Sequence, residues 1–556
     1  MSCLQSKLTL CLLALFLSNT FRIPLVQAQS PVLKEDSANA GIVQTPAAQD
    51  NQTSESVPPP KVELSRERTG VDPNKTLNLS LREAVTMALE HNLDIQVEKD
   101  NIKIAEYNLL AALGVYDIFT GAEFGYRRST TPTFSRARSA SGSIQEKSFT
   151  YNFNVGRQLS TGGSLRADFD NARRDTSDNF DVGGFNPIYS PRVTFSFRQP
   201  IMKNFRINDD ERNIRLLKRR LDLSDLTFRQ RLIDLIARAQ AAYYDLIFAL
   251  RNEEIQRESV ELAAVQLHNN QIQVKVGTAA PIDVISAEAE LERRKDQAIA
   301  SLLTITQAEN ALKSLILDDP NSDYWNYRIS PTEQVEFKPE PIDLPSAINI
   351  AIDRRPEVKQ LELQGELNKI DLEYFKNQEK PQIDLAFSFS GQGLAGSQNF
   401  APGQPPPAMR NPRDGGYFKA LSNVFDSRTY QFGVTFSFPL RNRTAKANIS
   451  RTLVENKQLD ARKRQMVQGI IAEVRNAVQA VEAARQRVEA AKAAVQAAKA
   501  QLKGEEQKFA VGLSTNFFVL QRQNELSIAR GNELRATTDF NKARADLLRV
   551  MANNLP

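Results

Sequence analysis

From residue 474 to 502 a hydrophobic side chain recurs every seventh position, as Val474, Val481, Val488, Val495 and Leu502. Ala477, Ala484, Ala491 and Ala498 fill the intermediate places, so apolar residues alternate in steps of three and four, the period of a helix packed along a seam. A second row, Ala483, Ala490 and Ala497, lies on another face. A helix with two narrow seams touches two neighbours, as a stave does in a closed wall. The pattern covers 442–510, which at about 1.5 Å per residue makes a rod of about 100 Å. No compact domain accommodates a rod of that length.

The chain carries a second such rod. Leu221, Phe228, Leu232, Leu235, Ala239, Ala242, Leu246 and Ala249 mark a seam that runs on to about Val276. Asn208 is placed to cap it, and Asp209, Asp210 and Glu211 occupy the first turn, where the helix dipole favours acids. This acidic trio is helix-start chemistry rather than a metal site. Each rod ends at a glycine and turns back into another helix: VGTAAPIDV (276–284) leads into a helix to Leu317, and VGLSTNFFVL (511–520) into one that runs to about 552.

The order of elements repeats. LSLREAVTMALEHNLDI, starting at Leu79, has the Ser80–Glu83 spacing of a capping box and a helix from about Leu81. LPSAINIAIDRRPEV (344–358) aligns with it, Leu344 with Leu81, Ala347 with Ala84 and Ala351 with Ala88. Ahead of each rod the period changes to two. The first half offers four strand-like pieces, from Asp117 to Tyr126, 148–155, 164–170 and 192–198, the last containing VTFSF. The second offers two, 383–391 and 430–438, and VTFSF recurs at 434–438. Of 29 phenylalanines, 18 fall within 117–200 and 381–440. An aromatic strand face fits a lipid-facing barrel, with a sandwich core as the alternative.

The ends and the composition narrow the functional class. Lys7, the apolar run LTLCLLALFL and VQA before Gln29 form a secretory signal (1–28) with cleavage after Ala28. Cys3 and Cys11 both lie within it, leaving a mature chain without thiols. Residues 29–76, with PPP at 58–60, read as a disordered arm. The expected organisation is then a first repeat over 77–320 (strands 117–200, helices 203–317), a linker over 321–343, and a second repeat over 344–556 (strands 381–440, helices 442–552). Lys plus Arg exceed Asp plus Glu only by 71 to 66 without like-charge blocks, which gives no case for nucleic acid. His91 and His268 stand alone on helical stretches, and no nucleophile, phosphate-loop or metal spacing is present. Neither an enzyme nor a cofactor is expected.

Taken together, the doubled VTFSFRQP and VTFSFPL strand ends, the doubled VGT and VGL tips and the leader resemble the TolC-type outer-membrane efflux protein family, over about 79–552. The resemblance implies a mixed α and β membrane protein: a homotrimer whose chains share one transmembrane β-barrel and one periplasmic α-helical tunnel. It would be a passive exit duct for efflux or type I secretion. It implies a periplasmic adaptor docked at Val276, Gly277 and Thr278 and at Val511, Gly512 and Leu513, and an inner-membrane ABC or RND pump. The family narrows its tunnel with acidic residues beyond the tip glycine; Asp283 fits, but the second half has Phe518 and then Gln521, so an apolar constriction by Phe518 is expected instead. The family also contributes four strands per chain where six are counted here. The 148–174 hairpin therefore either widens the barrel or stands outside the membrane, and Asn152, Asn154, Arg166, Asp168 and Asp170 are candidates for a wet lumen. A periplasmic coiled-coil scaffold or a stand-alone porin would use only one part of this inventory, the rods or the strands.

Overall fold

The computed structural model describes residues 64–178, 185–333, 335–398 and 411–554. The signal peptide with its cleavage site and residues 29–63 of the arm lie outside the described residues.

Each half begins with a pair of helices. α1 (Leu81–His91) starts at the expected capping box: Ser80 Oγ accepts from the Glu83 N–H at 3.2 Å, and the Glu83 carboxylate accepts from the Ser80 N–H at 2.9 Å. The helical pattern that runs on through residue 112 is interrupted at Asn92, whose backbone is extended and whose side chain accepts from the Asp94 N–H, so it starts α2 (Leu93–Leu113). α5 (Leu344–Arg354) and α6 (Pro356–Glu379) form the matching pair, with Pro356 at the first position of α6.

The rods follow. α3 (Asp209–Lys275) has 67 residues and α8 (Arg443–Ala510) 68, and their return helices α4 (Pro281–Ile316) and α9 (Asn516–Val550) have 36 and 35. Near the tips four helices lie abreast in the order α4, α3, α9, α8. Nearer the strands the order is α2, α3, α6, α8, so α3 and α8 run through both levels of one wall. Leu235, Ala239, Tyr243 and Leu246 of α3 are fully buried against α1 and α4, and Val474, Val481 and Val488 of α8 against α5 and α9. Ala483, Ala490 and Ala497, the second alanine row, remain exposed.

Two corrections concern the connecting segments. β1 (Asp72–Leu79) occupies the end of the segment read as a disordered arm, and it pairs in parallel with β8 (Tyr327–Pro331) inside the linker, Leu77 opposite Ile329. Leu79 and Ile329 are buried in the first core, and Tyr243 donates its hydroxyl to the Leu79 carbonyl at 2.9 Å. That buried contact anchors a segment whose polar composition gave no such signal.

The second sheet contains β2 (Phe119–Pro132), β3 (Ser143–Gln158), β4 (Ser164–Asp170), β5 (Ala172–Thr176), β6 (Phe185–Tyr189), β7 (Arg192–Pro200), β9 (Gln382–Gln392), β10 (Ala395–Gln398) and β11 (Ser427–Ser437). β4 and β5 both pair with β3 and are one strand interrupted at Asn171, whose amide donates to the Tyr151 and Phe169 carbonyls. β6–β7 and β9–β10 are likewise interrupted strands. Six antiparallel strands result, in the order β2, β3, β4–β5, β6–β7, β9–β10, β11. A short helix, α7 (Tyr417–Ser422), lies between the last two. The two VTFSF segments are not neighbours: β9 stands between them, with Phe195 opposite Phe389 and Phe389 opposite Tyr430. Among the described residues the sheet is open, and β2 and β11 are its unpartnered edges.

Candidate functional site at the hairpin tips

Strands and helices join at one end of the rods, so the tips stand about 100 Å away at the other. The two tips have the same backbone. Gly277 (φ +80°) and Gly512 (φ +75°) take the left-handed conformation that closes a helix. Thr278 N–H then reaches back to the Gln273 carbonyl and Leu513 N–H to the Lys508 carbonyl, both at 2.9 Å. Nothing stands within 4 Å of where a β-carbon would be at either glycine, so backbone conformation, not space, selects glycine there.

The tips are apolar and bare. Val276 is 67% exposed, Val511 69%, Leu513 79% and Phe517 69%. An isolated exposed leucine is ordinary, but four such side chains at one extremity form a patch that water covers poorly. Phe518 stacks edge-on against Phe517 and is partly exposed. Asp283, Phe517 and Gln521 line one groove between α4 and α9, together with Ser286, Glu290 and Arg293; Phe518 stays out of it. The Asp283 carboxylate accepts the Ala280 N–H at 3.2 Å, a helix-start contact, and Gln521 donates to Glu525 at 3.1 Å.

Behind the bare surface lies a polar latch that sequence inspection passed over. Gln266 of α3 donates to Asn270 at 3.1 Å and to Asn516 at the start of α9, and Asn270 donates to the Asp283 carbonyl at 3.2 Å. Arg294, 1% exposed, donates to Glu290 at 2.9 Å, to the Ser259 carbonyl at 3.0 Å and to the Leu520 carbonyl at 3.5 Å, tying α4 to α3 and α9. Burial alone would push the Glu290 carboxyl up, but hydrogen bonds from Arg293 and Arg294 outweigh it and hold the carboxyl below its ordinary 4.5. At the second tip Ser514 donates its hydroxyl to Glu505, which keeps that carboxylate below its usual range. Charged residues at these positions look like the solvated face of a helix until the third neighbour is known.

The far end shows the other half of the chemistry. Val193, Phe195 and Phe197 of β7 share one sheet face with Phe387 and Phe389 of β9 and Tyr430, Phe432 and Val434 of β11; Thr194, Ser196, Ser388, Ser390 and Thr435 share the other. Phe195, Phe432 and Tyr430 are half or more exposed on a folded chain, as a lipid-facing surface requires. Among the described residues no helix is long and apolar enough to cross a membrane.

The fold recurs in solved structures. The Campylobacter jejuni CmeC outer membrane channel is 14% identical and aligns over 89% of this chain and 95% of its own at a TM-score of 0.60. A membrane protein from Pseudomonas aeruginosa is 18% identical over 89% of this chain and 99% of its own, with a TM-score of 0.59. The open state of the Neisseria gonorrhoeae MtrE outer membrane channel is 16% identical over 90% and 98%, with a TM-score of 0.55. At such identities the likeness establishes the fold. No curated protein matches the chain in sequence. The outer membrane efflux protein family, in contrast, matches residues 164–316 and 347–553, covering both rods, both tips and every strand from β4 onward except β8. The chain therefore belongs to the outer membrane efflux protein family, and is an efflux-type channel protein of the outer membrane with its helical part in the periplasm.

Proposed function

We propose that the protein is the exit duct of a tripartite efflux or type I secretion system. In this reading three copies form one barrel and one helical tunnel, a periplasmic adaptor docks at the tips, and an ABC or RND pump in the inner membrane drives the cargo. The observation that carries it is the pair of unpartnered edges. In lipid every backbone N–H and C=O must be paired within protein, so β2 and β11 cannot both end an open sheet there. In a ring of three copies, the neighbour on each side supplies the missing strand, β11 to β2 and β2 to β11.

The helical wall supports the same closure. Its α4 edge exposes Ile285, Ile299 and Leu303, and its α8 edge exposes the row Ala483, Ala490 and Ala497. Large side chains against a small-residue face make a close helix–helix seam between copies. A scaffold has no use for the aromatic sheet, and a diffusion porin has none for the rods. Fractionation tests this directly: the account expects a heat-sensitive trimer in the outer membrane, and a soluble periplasmic dimer would overturn it.

At the tips, Val276, Gly277, Thr278, Val511, Gly512 and Leu513 form the adaptor surface, supported by their exposure and matched geometry. The constriction is assigned to Phe518, whose neighbour Phe517 lines the groove that holds Asp283 and Gln521; the paired Phe517–Phe518 rings at a bare tip motivate this. Phe518→Ala is expected to raise single-channel conductance in planar bilayers, and an unchanged conductance refutes the assignment.

A further inference from the structure

We propose that the β3–β4 hairpin is itself membrane-spanning, so that the duct opens through an eighteen-stranded barrel, six strands from each of three copies. The proposal rests on the trimeric duct above and adds to it the width of the pore. Its basis is register. The apolar face of β7, β9 and β11 continues into the hairpin over two rows and ends on β5, where Arg173 and Asp175 stand opposite Phe149 and Lys147: in the first row Phe195 stands opposite Ala167 of β4, Ala167 opposite Val155 of β3, and Val155 opposite Thr120 of β2. One step outward, Val193, Phe169, Phe153 and Ala122 form the next row.

The height of this band fits a bilayer. On β3 the outer face reads Phe149, Tyr151, Phe153 and Val155, bounded by Lys147 at one end and Arg157 at the other. Lys147 to Arg157 is about 34 Å of strand, or about 26 Å along the axis at a barrel tilt of ~40°, against an apolar band of about 25 Å in outer-membrane barrels. Both bounding charges sit where water or headgroups meet them. Lys147 lies opposite Arg128 and Asp175, and Arg157 donates to the Tyr116 carbonyl at the helix end. The opposite face carries Glu123, Asn152, Asn154, Arg166 and Asp168, with Arg166 and Asp168 paired at 2.7 Å, which suits an aqueous lumen. A lobe standing in water has no need of four aromatic or branched residues in register with its neighbours.

The hairpin is also built into the fold rather than appended to it. Its short turn is clamped to the junction of β7 and α3: Thr161 donates to Gln199 at 2.8 Å, and the Arg206 N–H donates to the Thr161 carbonyl at 3.1 Å. Gly162 (φ +85°) approaches the Asn204 carbonyl so closely that a β-carbon would lie 2.2 Å from that oxygen.

At a strand spacing of about 4.8 Å and a tilt of ~40°, twelve strands enclose a barrel about 24 Å across and eighteen one about 36 Å across. The outer-membrane section then imposes no size limit of its own, and the tips alone decide what passes.

The test uses the full chain, which has no cysteine after Cys11. Single substitutions Phe153→Cys and Phe169→Cys probe the outer face of the hairpin, Asn154→Cys and Asp168→Cys the inner face, and Phe195→Cys and Tyr430→Cys the strands that any outer-membrane barrel here requires. Each is labelled with bimane and reconstituted in phosphatidylcholine vesicles carrying nitroxide acyl chains. The proposal expects quenching at 153 and 169 as strong as at 195 and 430, and none at 154 and 168. Quenching at 195 and 430 with none at 153 and 169 overturns it while leaving the duct intact; no quenching anywhere overturns the membrane reading itself. Electron microscopy of the unmodified trimer gives the second arm: eighteen strands around the pore support the proposal, and twelve refute it.

Discussion

The two halves of the chain solve one geometric problem with different chemistry. Their rods agree within one residue and their tips share one turn, because rods that end at a common level must match in length. Their interiors do not agree. The seam of α8 buries Val474, Val481, Val488 and Val495 with alanines between, and α9 adds only the uncharged Asn516, Gln523, Thr538 and Asn541, whereas α3 and α4 bury the charged Glu253, Arg294, Glu309 and Lys313 along with Gln266 and Asn270. A uniform apolar seam holds a helix against its neighbour but hardly distinguishes one register from another seven residues away. A buried hydrogen-bonded set has one satisfactory arrangement, since any slip strands a charge. On this account the first hairpin sets the register of the tip and the second packs against it.

That contrast can be broken by exchanging the two chemistries. Arg294→Leu removes the bonds to the Ser259 and Leu520 carbonyls and leaves Glu290 to Arg293 alone, and is expected to cost about 3 kcal/mol, read as a lowered denaturation midpoint of the helical part. Val488→Ala, in the apolar seam, removes only methyl groups and is expected to cost about 2 kcal/mol. A larger loss at Val488 than at Arg294 would reverse the assignment of roles. The tips sharpen the likeness instead: Gly277→Ala and Gly512→Ala each force a side chain into the left-handed region with open space around it, and both should cost about 1 kcal/mol. Unequal losses would show that the two turns are not equivalent. Ser80→Ala removes the cap of α1 and should cost about 1 kcal/mol by the same melting assay.

The smallest effect is a pH dependence, carried in the first hairpin by Glu290 and at the second tip by Glu505. Glu290 titrates below its ordinary 4.5 in the folded chain, so its stabilisation is complete above that value and is lost as pH falls through the lower folded value. Corrected for the intrinsic pH dependence of exchange, the protection of α4 amides around Glu290 should therefore fall below about pH 4.5, by more than that around Val488 in α8, where the lowered carboxylate of Glu482 is exposed to solvent. An equal fall in protection around Glu290 and around Val488 would remove the contrast.

What could be read from the sequence divides along the same line. Rods, tip glycines, the Ser80 cap and six strand-like pieces rest on local signals, namely periods of seven and two, a positive-φ glycine and a capping spacing. The pairing of β1 with β8 rests on contacts across some 250 residues, which composition does not encode. Asn92 looked like one more polar position on a continuous helix, although its side chain starts a new one. Arg294 and Gln266 looked like solvated residues because helical spacing alone does not reveal that α9 lies across them. At the tips the bare Val511 and Leu513 could be found from the glycine beside them, but the groove that joins Asp283 to Gln521 needed both hairpins in place.

The central claim is that these tips are where the duct meets its partner. A photocrosslinking residue placed at Leu513 in intact cells, with a control at Asn321 in the linker well away from the tips, tests it most directly. The account predicts a crosslink from position 513 to a periplasmic adaptor, lost when Gly512 is replaced by tryptophan in a chain that still forms outer-membrane trimers, and none from position 321. Crosslinking from 321 but not from 513, or a crosslink at 513 that survives Gly512→Trp undiminished, would contradict it.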